Sequence, residues 1–151
     1  MSASSGSAAP HRAHDAPYAD AAAVEELCAG FVDLSLPPER WSHRAHLTVA
    51  LRLVRGCGYR AALALMRDGL KRYNAVYGTT GRGYHETLTV FYMRVVARYA
   101  RETPAGDPAA DANLLYDRYG DRELPFRYYS RERLFSAAAK EEWVGPDLDG
   151  A

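Results

Sequence analysis

The sequence predicts an all-α fold, a small up-down helix bundle of about four main helices with a C-terminal wrap of short helices. Three observations predict it. Apolar residues recur at three- and four-residue spacing in several separate stretches. Clusters of Gly and Pro divide those stretches. No run sustains the two-residue alternation of a half-buried strand.

Residues 1–18 are mostly Ser, Ala, Gly, Pro and His with almost no large apolar side chain, so they cannot bury enough surface to offset their ordering entropy. They are read as a disordered tail ahead of a single helical domain over residues 19–151. The first helix spans about residues 20–34, with Val24, Leu27, Cys28, Phe31 and Leu34 on one face, and Pro37 and Pro38 end it. Ser42 is a good N-cap type for the second, whose shared face holds His43, His46, Leu47, Ala50, Leu51 and Val54. Gly56-Cys57-Gly58 stops that helix. A third follows over about residues 59–77, with Ala62, Leu63, Met66, Leu70, Tyr73 and Tyr77 as its stripe. Residues 78–83 form a Gly/Thr loop. A fourth helix over about residues 84–102 turns His85, Leu88, Phe91, Tyr92, Val95, Val96 and Tyr99 inward. A short helix over about residues 109–119 precedes the wrap, in which Ser130 and Ser136 are further N-cap candidates.

The 151 residues point to one domain, large enough to bury a core without disulfides or a structural metal. Lys+Arg and Asp+Glu number 19 each, a balance that argues against a nucleic-acid binder and against an electrostatic membrane anchor. Cys28 and Cys57 sit in apolar helical contexts and read as reduced thiols. No segment has the features of a signal peptide or reaches the roughly 18 apolar residues of a membrane span, so a cytoplasmic location is expected.

Short connections make successive helices antiparallel, which brings the N-termini of the second and fourth to one end of the bundle. His43 and His46, three residues apart, share a helix face, and His85 arrives beside them from the fourth helix. His-Arg-Ala-His also occurs at residues 11–14, in the tail, so the spacing alone carries little; the convergence of three imidazoles is the signal. Three His ligands with open positions are the arrangement of a catalytic metal, and a helix N-terminus favours the neutral imidazole that a metal requires. Zn²⁺ or Fe²⁺ is expected first, with Cu²⁺ and Ni²⁺ as further candidates. Glu86 is expected as proton-transfer group or as partner to a ligating imidazole, and Tyr77 as a second catalytic candidate. Tyr73, Arg82 and Tyr128 are expected to contact the substrate, a small molecule. The reading is thus a small metal-dependent enzyme of hydrolase, lyase or isomerase type, with oxygen chemistry left open. Two alternatives stand beside it: a metal-free His/Glu acid–base enzyme, whose activity survives chelation, and a non-enzymatic helical module that binds a ligand or partner. A homodimer is compatible with all three. A single His on an apolar face is, by itself, more often a hydrogen-bonded core residue.

His43 to His46 ahead of an apolar helix, Tyr-His-Glu-Thr at residues 84–87, Tyr-Tyr-Ser at residues 128–130 and Pro146-Asp147 together resemble a family of uncharacterised bacterial all-helical proteins. The resemblance covers about residues 25–148 and implies that these positions belong together. It implies no activity.

Overall fold

The computed structural model describes residues 15–78 and 83–150. Among the described residues six α-helices form and there is no strand. Helix α1 (Ala21–Val32) opens where the Asp20 carboxylate accepts the Ala23 N–H at 3.0 Å. It buries Val24, Leu27 and Phe31, the stripe expected from the sequence. Leu34 then turns the chain through a left-handed φ of 66°.

Helix α2 (His43–Tyr77) starts at Ser42, whose hydroxyl accepts the Ala45 N–H. It is two limbs rather than one rod. Gly58, at φ 82° and ψ 170°, breaks it, a conformation that a side chain would strain. The chain folds back there, which is where the sequence ended one helix and began the next. The limbs meet at the far end, where the Trp41 and Tyr73 rings stand 5.5 Å apart. A close approach to α1 depends on Gly69, because a Cβ there would lie 2.6 Å from the Phe31 ring.

Helix α3 (Glu86–Glu102) packs on α2, and helix α4 (Pro108–Tyr119) closes the bundle after an Asp107 cap with Pro108 at the first helical position. Arg55 of α2 grips Asp111 of α4 with two bonds of 2.9 Å and donates to the Ala100 carbonyl. Tyr99 of α3 donates to the same carboxylate at 2.9 Å, so one buried anion ties three helices. Tyr18, ahead of α1, exchanges two backbone–side-chain hydrogen bonds with Asn113.

The C-terminal wrap holds a short 3₁₀ turn (Leu124–Arg127) and helices α5 (Arg131–Leu134) and α6 (Ala137–Glu141), capped by Ser130 and Ser136. It has its own small core of Phe91, Tyr129 and Leu134. It is bonded to the start of α3: the Thr87 hydroxyl donates to the Glu142 carbonyl and accepts from the Val144 N–H. These bonds fasten the wrap to the bundle. No helix of the described residues is long and apolar enough to cross a membrane.

Candidate functional site

The N-terminal turn of α2 places two histidines with different bonding. His46 directs Nδ1 at the Ser42 carbonyl, 2.8 Å away. A carbonyl only accepts, so Nδ1 carries the proton and Nε2 keeps a lone pair. The ring lies on Trp41, centroids 3.9 Å apart, and Trp41 lies in turn on Phe31 at 4.5 Å. His43 sets its ring edgewise on Tyr92 at 5.1 Å and on Tyr116 at 6.3 Å. Its Nε2 is buried and has no hydrogen-bond partner.

Both imidazoles are held neutral. Burial pushes the His43 pKa down to about 4, helped by His46 and by the Arg122 charge against the opposing pull of Asp15 and Asp121. Burial likewise takes His46 to about 4; the bond to Ser42 works against it and Arg122 with it.

The two rings line a cavity of about 430 Å³ between α2, α3 and the loop after α4. Leu47, Met66 and Met93 supply apolar wall, and Tyr92 and Arg122 supply polar tips. An adjoining cavity of about 390 Å³ shares Trp41, His46, Leu70, Leu88 and Thr89 with it and reaches Tyr73, Tyr84 and His85. The shared wall makes them two halves of one cleft, whose size and mostly apolar lining suit a small organic molecule.

The expected topology brings the N-termini of α2 and α3 together, since His46 and His85 line one cavity. It does not make a metal site. His85 is not inside the first turn of α3; it is the N-cap. Its Nδ1 accepts the Leu88 N–H at 3.1 Å, and its Nε2 stands 2.8 Å from the Leu134 carbonyl, which requires the proton on Nε2. With both nitrogens so used, His85 is a structural link between α3 and the wrap. Among the described residues, no group of three or more His, Cys, Asp or Glu side chains gathers where an ion could be held. The expected set of His43, His46 and His85 is thus not gathered as a metal site, and the metal-dependent enzyme reading is overturned.

Glu86 departs from its expected part for a different reason. Its carboxylate accepts from Arg67 of α2, through Nε at 2.9 Å and through a terminal guanidinium nitrogen, and from the Tyr84 hydroxyl at 2.6 Å. Burial alone would raise its pKa, but the bonds from Arg67 and Tyr84 and the charges of Arg67 and Lys71 hold it below the usual carboxylate range. It lines neither half of the cleft. An anion so paired is neither a partner for His43 or His46 nor a poised base.

Tyr73 and Tyr77 line the second half of the cleft. Their hydroxyls, however, donate to the Leu36 and Leu34 carbonyls at 2.8 and 2.5 Å and clamp the turn after α1. The Tyr77 proton is thereby committed to backbone. Tyr128 lies elsewhere, in a separate cavity of about 290 Å³ with Phe91, Arg94 and Trp143. Arg82 lies outside the described residues. Arg122 was not expected at the site, and no spacing signals it, because it stands on an irregular loop that only the packing of α4 brings over His43.

No family model, curated protein or solved structure matches this chain.

Proposed function

We propose that the chain is a small-molecule-binding domain whose histidine cleft holds a mostly apolar organic molecule by its polar end. The observation that carries this reading is a 430 Å³ cavity lined by His43, whose Nε2 is buried without a hydrogen-bond partner. A buried nitrogen without a partner costs about 1–3 kcal/mol, a deficit that a ligand hydrogen bond removes. His46 adds a bare Nε2 that accepts from a ligand hydroxyl or amide N–H. Trp41, backed by Phe31 and stacked with His46, offers aromatic surface to the body of the molecule. Imidazoles neutral down to about pH 4 are hydrogen-bonding groups at neutral pH and weak bases.

The test is a fragment screen by ligand-observed NMR on the full chain and on Leu88→Trp. Leu88 is half-buried and lines both halves of the cleft, so the larger ring plugs it. The reading predicts fragments that bind the parent chain and lose binding in the plugged variant. Fragments that bind both equally, or no binders at all, would contradict it.

A further inference from the structure

The cleft carries a charge asymmetry that its apolar walls do not require. Arg122 lines the cavity with His43 and His46, and no carboxylate lines either half. Among the described residues Arg122 makes no ion pair. The acids near it form no ion pair with it, and their hydrogen bonds go to other groups. The Asp121 carboxylate accepts the Glu123 N–H at 2.9 Å, and Glu123 faces Arg131 at 3.9 Å. Asp15, the other acid near His43, accepts the Tyr116 hydroxyl at 3.1 Å. The guanidinium thus lines the cleft without an ion pair, and the Asp15 and Asp121 charges act against it at His43 only from a distance.

We propose that the ligand is a small monocarboxylic acid with an aromatic or aliphatic body, its carboxylate paired with Arg122 and hydrogen-bonded by His43. This rests on the binding reading above and names its ligand class. The planar fork of a guanidinium matches a carboxylate with two parallel N–H bonds. His43, free of a bond at Nε2, adopts the tautomer that donates from that atom. His46 cannot do the same while Nδ1 holds its proton for Ser42, so the carboxylate sits on the His43 side. The body then runs toward Trp41, Leu70 and Leu88, the walls common to both halves.

Calorimetric titration of the full chain with benzoate, phenylacetate and hexanoate, each against its amide, tests the proposal. The acids are expected to bind saturably and about fivefold or more tightly than the amides, a preference of the size a partly exposed charge pair supplies. Arg122→Gln should bring the acids down to the amide level with the circular dichroism unchanged, and Arg122→Lys should restore part of the difference. Amides that bind as tightly as acids, or an acid preference that survives Arg122→Gln, would overturn the carboxylate and leave the binding cleft standing. If neither series binds, or if Leu88→Trp leaves binding untouched, both readings fall.

Discussion

The imidazole of His85 bridges 49 residues of chain: Nδ1 caps α3 by accepting the Leu88 N–H, and Nε2 donates to the Leu134 carbonyl at 2.8 Å. One neutral ring thereby satisfies two buried backbone groups and joins the bundle to its wrap. His85→Ala is expected to destabilise the fold by about 2 kcal/mol, the sum of a lost N-cap and an orphaned buried carbonyl. Urea denaturation checks the magnitude. His85→Asn, which keeps an acceptor for Leu88, should lose less.

The depressed pKa of the other pair sets a pH dependence. Unfolded histidine titrates near 6.5 and the folded His43 and His46 near 4, so between these values the unfolded chain binds more protons. Their contribution to stability is then complete above about pH 6.5 and is lost as the pH falls toward 4. The slope is at most about 1.4 kcal/mol per pH unit from each ring. Urea midpoints measured from pH 7 to 4.5 should fall, and His43→Gln should flatten the fall.

Asp111 is nearly sealed from solvent, with its side chain 2 % exposed, and accepts from Arg55 and Tyr99. Asp111→Ala leaves the Arg55 guanidinium without its counter-ion among three helices. A loss of about 3–5 kcal/mol is expected, as for other broken buried pairs. The cleft lies apart from this triad, so a stabilising osmolyte should restore the fold and ligand binding together.

Gly69→Ala places a methyl 2.6 Å from the Phe31 ring. Overpacking of this kind costs about 1–3 kcal/mol. Phe31 supports Trp41, and Trp41 supports His46, so the same change should also alter the Trp41 fluorescence. A methyl accommodated without either effect would show that the α1–α2 contact is looser than the structure describes.

The helices were legible because local chemistry and burial agree. Asp20, Ser42, Ser130 and Ser136 all cap where their side chains suit capping. Gly58 breaks α2 where Gly56-Cys57-Gly58 read as a stop. His43 and His46 were legible as one face for the same reason. His85 was not, because the start of α3 decides its role. With the helix starting at Glu86, His85 has extended backbone and its ring turns back to accept the Leu88 N–H instead of projecting from the helix face, and helix ends are the least determined feature of a sequence. Glu86 was misread because its partner, Arg67, arrives from the second limb of α2, which no spacing within α3 reveals.

The most direct test is the long-range ¹H–¹⁵N spectrum of the imidazoles at pH 7, with His11 and His14 replaced by Gln, recorded with and without saturating benzoate. The account predicts neutral rings at His43 and His46, opposite tautomers for His46 (Nδ1–H) and His85 (Nε2–H), and a ligand-induced shift at His43 that leaves His85 in place. Protonated His43 and His46 at this pH, or a spectrum that benzoate does not change, would contradict it.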